Sequence, residues 1–232
     1  MLGTTVEIFN HSFLPRFLDK GSVVVDIGAH RGDFAHAVIQ RFGCRVVSAE
    51  PVKELYDSIP PDPLHEVLPV AVGGKNQTVE MNIFEARCAS VLGPVLSDEP
   101  VATQPIEMVT LAEFCRRAGV GRIDLLKMDI EGAEVALFEA CRDEQLQAVM
   151  QITVEFHEFL YPQQAEPVAK ILERMRRLGF WVLPFSLDNT NVLFLNRRTG
   201  VGPVEIAFLR SFVRYGKGVV RRGRRMIFGD VR

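Results

Sequence analysis

Apolar and polar positions along this chain follow two rhythms that exchange repeatedly. Val23-Val24-Val25-Asp26-Ile27 is a β-branched apolar run broken by one acid, the pattern of a buried parallel strand. Beyond Gly28 and Gly32, Phe34, Ala35, Val38, Ile39 and Phe42 recur at helical spacing until Gly43. A second apolar run, Arg45 to Ala49, ends in Glu50, so residues 22–49 read as a βαβ unit. A short helix around Val52–Ser58 stops at Pro60-Pro61, and a third strand spans Glu66–Val72 before Gly73-Gly74. Alternation from Thr78 to Phe84 predicts a strand outside the parallel series, and Gly93 through Pro105 reads as loop. Thr110-Leu111-Ala112-Glu113 has the capping-box pattern and opens a helix to Arg117. A fourth strand is predicted over Arg122–Asp129, a helix over Gly132–Arg142 and a fifth strand over 148–156. A helix over Pro167–Leu178 and two strands, Phe180–Phe185 and Val192–Leu195, turning at Asp188-Asn189, close the series. Residues 1–20 place Phe9, Phe13, Leu14, Phe17 and Leu18 on roughly one helical face, interrupted by Pro15. They predict a helical lead-in over the sheet edge or the ligand cleft, with His11 on the surface.

Strands that alternate with helices make an open α/β sheet, whose ligands sit at the strand C-termini. The chain's 232 residues and 47% hydrophobic content suit one domain, here residues 21–196, with a sizeable core. Charge changes the picture at one end. From Arg197 onward ten Arg and Lys stand against Glu205 and Asp230, a net +8, while the rest carries −10 of the overall −2. The 197–232 tail, with Arg221-Arg222-Gly223-Arg224-Arg225 among apolar residues, predicts contact with something anionic: a lipid or glycolipid surface, the acidic body, or a second subunit. Nucleic acid ranks last, since the run carries no recognised binding motif. Cys44, Cys88, Cys115 and Cys141 are widely spaced, against both a zinc site and a disulfide framework. With no basic-then-apolar leader and no apolar run near the ~20 residues that span a bilayer, a cytoplasmic protein is expected, peripheral to the membrane at most.

The first strand's turn reads Asp26-x-Gly28-x-His30-x-Gly32, a poor match to the dinucleotide pattern G-x-G-x-x-G. An acid before the turn repels a pyrophosphate and suits a cationic, hydroxyl-rich ligand. S-adenosylmethionine, with its ammonium, sulfonium and ribose, is such a ligand, and Glu50 is placed to accept both ribose hydroxyls. An NAD-dependent oxidoreductase and a non-catalytic nucleotide-binding module are the competing readings.

A second stretch, Ile123-Asp124-Leu125-Leu126-Lys127-Met128-Asp129-Ile130-Glu131-Gly132-Ala133-Glu134, joins a strand to a helix. Together with Asp26-Ile27-Gly28-Ala29, Glu50-Pro51 and Val154-Glu155-Phe156-His157, it resembles the FkbM family of S-adenosylmethionine-dependent O-methyltransferases. The resemblance runs from about Val23 to His157 and more weakly to about Asn196. His30 departs from it, standing where the family usually has a small polar residue, commonly Asn, and Ala112 stands where an acid is common. The resemblance implies a Rossmann-like seven-stranded methyltransferase sheet of order 3-2-1-4-5-7-6. It implies a small-molecule or glycan acceptor, and a serine near the cofactor at Ser90. Ala71 and Val72, at the end of the third strand, are expected to border the adenine.

Methyl transfer to oxygen needs an aligned acceptor and a base or metal that helps remove its proton. Lys127, Asp129 and Glu131 are two apart and share one face if the strand stays extended. Glu155 and His157 share a face at what is expected to be the neighbouring strand end. His157, with an unperturbed pKa near neutral, is the natural general base, and Asp129 the other candidate. The bland alternatives are a structural Lys127–Asp129 ion pair and a capped strand-end imidazole. A divalent ion on Asp129, Glu155 and His157 is the runner-up mechanism, although no compact ligand motif marks it. Glu134 reads as balancing the charge of a helix N-terminus.

Overall fold

In the computed structural model the residues described are 4–83, 89–90 (backbone only), 102–158, 160–185 and 190–210. A hairpin of β1 (Val6–Ile8) and β2 (His11–Phe13) comes first, then a 3-10 turn at Pro15–Phe17. The first βαβ unit is β3 (Val23–Ile27), α1 (Asp33–Phe42) and β4 (Arg45–Ala49). After α2 (Lys53–Ser58) come β5 (His65–Leu68), β6 (Ala71–Val72), β7 (Gln77–Ile83), β8 (Ala89–Ser90) and β9 (Ala102–Val109). Next are α3 (Leu111–Arg117), β10 (Leu125–Met128), α4 (Glu134–Ala140), α5 (Asp143–Ala148) and β11 (Gln151–Glu155). The series closes with α6 (Ala165–Arg177), β12 (Phe180–Pro184) and β13 (Asn191–Asn196), and residues 203–210 are helical.

Seven strands form the central sheet in the order β12-β13-β11-β10-β3-β4-β5; all run in one direction except β13, which is antiparallel to both its neighbours. Counted along the chain, this is the predicted 3-2-1-4-5-7-6 read from the other edge. One face buries Val25, Val47, Leu126 and Phe194 under α3, α4 and α6; the other buries Val24, Val46, Leu125 and Leu195 under α1 and the N-terminal segment. Burial on both faces explains the continuous apolar runs of the central strands.

One row of the sheet is polar. Ser48, Asp26, Lys127 and Thr153 are successive register partners across β4, β3, β10 and β11, and all four are buried. Ser48 Oγ lies 2.8 Å from His65 Nε2 and Thr153 Oγ1 lies 3.4 Å from His11 Nδ1, so a histidine ends the row on each side.

Four elements differ from the sequence reading. The N-terminal segment is a hairpin and a 3-10 turn, where a helix is expected. Phe9 and Asn10 both take positive φ (45° and 65°), the two-residue turn that joins antiparallel strands. The buried Gln151 amide grips both backbone groups of Leu14, at 2.8 and 3.1 Å, and His11 is buried where a surface residue is predicted. The third strand breaks at Pro69, which cannot donate to a ladder: β5 ends at Leu68, and Ala71–Val72 crosses to a second, four-stranded sheet, β6-β9-β7-β8. The loop expected as far as Pro105 is strand from Ala102. Because β6 pairs only Met108 and Val109, Pro105 lies on an edge, where proline is tolerated. The helix expected over Gly132–Arg142 stops at Ala140, with Cys141 extended, before α5.

Half of the predicted capping box forms: Thr110 Oγ1 accepts from Glu113 N at 3.3 Å, but Thr110 N donates to Asn76 and the Glu113 carboxylate pairs with Arg116 and Arg117. Val201, Ile206 and Leu209 are buried with Leu183 and Leu193, and Arg16 pairs with Glu205 at 2.8 Å. The Arg221–Arg225 run, the Asp188-Asn189 turn, Cys88 and residues 91–101 lie outside the described residues. Cys44, Cys115 and Cys141 are free thiols. Among the described residues no helix is long and apolar enough to cross a membrane.

Candidate functional site

The ends of β3 and β10 are built as one joint. Gly28 has φ +82°, and a Cβ there would stand 1.8 Å from Asp129 O. Gly28 N and Ala29 N both donate to Ala49 O, tying the turn to β4. Asp26 and Lys127, adjacent in register, form a buried ion pair at 3.1 Å, and Lys127 Nζ also donates to Gly28 O at 2.6 Å. Burial alone would lower the Lys127 pKa; the charges of Asp26 and Asp129 outweigh it and hold the ammonium form.

Beside the joint lies a cavity of about 360 Å³, within the ~300–1,000 Å³ of ligand pockets. Glu50 stands at one wall, its two oxygens accepting from His30 N (2.7 Å) and Val52 N (2.9 Å). Burial raises its carboxyl to about 7. His30 takes φ +52°, a conformation that Asn and His tolerate better than most residues. The opposite wall is apolar, from Ala71 and Val72 of β6 with Met81 and Met108 of the second sheet. Phe9, at the tip of the N-terminal hairpin, borders the cavity while 61% exposed.

The cavity's remaining side is charged. β10 ends at Met128, and the chain turns through Glu131 (φ +51°) and Gly132 (φ +102°), so Lys127, Asp129 and Glu131 do not share one extended face. The turn still delivers Glu131, with Oε2 3.4 Å from His157 Nε2, which is 3.7 Å from Asp129 Oδ1. Glu134 is fully buried. Its Oε1 accepts from Ile130 N and Gly132 N and stands 3.0 Å from His157 Nδ1. It therefore clamps the turn and orients the imidazole, more than balancing a helix end. Burial would lower the His157 pKa, but the hydrogen bond to Glu134 and the charges of Glu134, Glu131 and Asp129 push it up to about 9. Burial would raise Asp129; the His11 imidazole, 3.6 Å from its Oδ2, together with Lys127 and His157 outweighs this and holds the carboxyl far below its usual range. Burial, with Asp129 nearby, pushes Glu155 up to about 7.

The FkbM methyltransferase domain profile matches residues 26–182. The chain belongs to the FkbM methyltransferase family. No curated protein matches it by sequence. Solved structures overlap it loosely. Methanococcus jannaschii fibrillarin, a pre-rRNA processing protein, shares 11% identity, with a TM-score of 0.42 over 83% of this chain and 80% of that one. A TehB-like SAM-dependent methyltransferase from Corynebacterium glutamicum shares 14%, at 0.39 over 78% and 83%. A Pyrococcus furiosus methyltransferase shares 15%, at 0.38 over 78% and 77%.

In this FkbM chain the predicted cofactor residues separate into three groups. Gly28, His30, Glu50, Ala71, Val72 and Asp129 border the cavity. Asp26 lies behind it, facing the cation of Lys127 where a ligand was expected, and Gly32 caps α1 against Ile59 and His65. Ser90 pairs with Asn82 in the second sheet, and its side chain lies outside the described residues. In character the lining fits S-adenosylmethionine, a cationic and hydroxyl-rich ligand with an apolar ring system: it joins the carboxylates of Glu50, Asp129 and Glu131 to the apolar side chains of Ala71, Val72, Met81 and Met108. Sequence reasoning missed His11 and the clamping role of Glu134. Asn10, a good residue for the turn's positive φ, was the one available signal of a hairpin that buries His11.

Proposed function

We propose that this chain is an S-adenosylmethionine-dependent O-methyltransferase acting on a hydroxyl of a glycan, glycolipid or secondary metabolite. The observation that carries the reading is the opening of the cavity onto Asp129, with His157 Nε2 3.7 Å from its carboxylate. S-adenosylmethionine supplies the activated methyl and a thioether leaving group. Glu50 fixes the ribose, and Asp129 orients the acceptor hydroxyl beside the methyl carbon. With the cofactor and acceptor bound, His157, held by Glu134, would take the proton that the acceptor hydroxyl gives up on methylation. His157 must first lose the proton it carries at neutral pH, which it sheds more readily beside a positively charged ligand. The basic tail is proposed to bring the enzyme to an anionic lipid or glycolipid surface.

His157→Ala is expected to bind S-adenosylmethionine almost normally and to lose turnover by ~10²-fold or more. Full turnover in that variant would make His157 a structural imidazole and leave Asp129 as the base. Calorimetry with S-adenosylmethionine and with NAD separates this reading from an oxidoreductase.

A further inference from the structure

Asp129 also faces the N-terminal hairpin, and there the geometry suits an ion. His11 is 1% exposed, and its Nε2 has no hydrogen-bond partner. It is aimed at Asp129 Oδ2, 3.6 Å away, which is beyond hydrogen-bond reach. Two ligands each ~2.1 Å from one ion stand about 3–4 Å apart. Donor atoms of His11, Asp129 and Glu155 all lie within 4.8 Å of one another.

We propose that His11, Asp129 and Glu155 bind a divalent first-row transition-metal ion whose open positions face the cavity. The proposal does not depend on which acceptor is methylated, or on methyl transfer at all. One imidazole nitrogen with two carboxylates suits Mn²⁺, Fe²⁺ or Zn²⁺ better than the all-oxygen preference of Ca²⁺ or Mg²⁺. The His11 ring is prepared for ligation. Its Nδ1 lies 3.4 Å from the buried Thr153 hydroxyl, and a proton on Nδ1 leaves the Nε2 lone pair turned to the site. The Gln151 clamp on Leu14 fixes the end of the hairpin that carries His11. Lys127 stands 3.9 Å from Asp129 Oδ2, but its short contacts go to Asp26 and Gly28 O. A second cluster, Asp129, Glu131 and His157, is equally compact. There, however, both imidazole nitrogens already have carboxylate partners, Nδ1 at 3.0 Å from Glu134 and Nε2 at 3.4 Å from Glu131, whereas His11 Nε2 has no hydrogen-bond partner. An ion on His11, Asp129 and Glu155 would pin the hairpin to two strand ends. It would also offer the cavity a Lewis-acidic position where an acceptor oxygen can bind.

The test is Mn²⁺ alone, added to the full chain after chelator treatment, without cofactor or acceptor, and followed by electron paramagnetic resonance. One saturable site with nitrogen coupling from a single imidazole is expected. Glu155→Gln, at a half-buried position, is expected to weaken Mn²⁺ binding at least about tenfold. His11→Ala, checked for folding by circular dichroism, is expected to abolish the nitrogen coupling, and His157→Ala to leave it intact. Absence of saturable binding up to millimolar Mn²⁺, unchanged affinity in Glu155→Gln, or nitrogen coupling that survives His11→Ala overturns the proposal. S-adenosylmethionine binding by calorimetry is scored separately, so loss of the metal site leaves the methyltransferase reading standing.

Discussion

If Glu50 holds the ribose as proposed, this one buried acid sets the pH response of cofactor binding. Burial raises its carboxyl to about 7, and an ionised carboxylate is the better acceptor for ribose hydroxyls. The ionised fraction grows as pH rises through 7, so S-adenosylmethionine affinity is expected to strengthen from pH 6 to 8. Titration calorimetry checks this, and Glu50→Gln is expected to flatten the profile. Glu50→Ala is expected to weaken binding by about 2–4 kcal/mol, and unchanged affinity in a folded variant removes the ribose assignment. Lys127 carries a different burden. Lys127→Met leaves Asp26 buried without its cation, which is expected to destabilise the fold by about 3–5 kcal/mol in urea titrations. Adding Asp26→Asn to that variant is expected to recover part of the loss; no recovery would show that the pair is not the source. That Glu50, Lys127 and Asp129 stand out was legible, because acids and a lysine at strand ends break apolar runs, and all three border the cavity. His11 was not, since nothing in a single histidine near a turn says that strand β11 will cover it.

At the scale of elements, the decisive joint is the contact of β3 with β10. Gly28→Ala would drive a Cβ into Asp129 O, 1.8 Å away in the unrelaxed backbone, at a position of positive φ. Loss of about 4 kcal/mol or more, or failure to fold, is expected, measured as the urea midpoint. A stable Gly28→Ala that binds S-adenosylmethionine normally would contradict the joint as described. Thr110→Ala removes only a cap and is expected to cost about 1 kcal/mol, leaving cofactor affinity unchanged. Strands buried on both faces and helices with a clear apolar stripe were legible, as at Val23–Ile27 and α6. The N-terminal hairpin was not, because residues that pack from two short strands and a 3-10 turn can mimic a helical face. The break after Leu68 is written in Pro69, but the apolar run on both sides masks it.

At the scale of the whole molecule, charge is divided between an acidic body and a basic end. Truncation after Gly218 is expected to leave S-adenosylmethionine affinity intact and to reduce binding to anionic vesicles, most strongly at low salt. Indifference of the intact chain to such vesicles at low ionic strength would retire the membrane-surface proposal. The sequence by itself determined the alternation of strands and helices, the Gly28 turn and the Lys127-to-Glu134 run that marks the family. Each of these rests on local rules: period, glycine conformation and the spacing of charges along one segment. Tertiary structure alone decided that Asp26 answers Lys127 across the register and that Glu134 holds His157 from another element. It also decided that His11, more than a hundred residues away in the chain, faces Asp129 and Glu155. Those contacts depend on strand register and burial between distant segments, and no local pattern of residues encodes either.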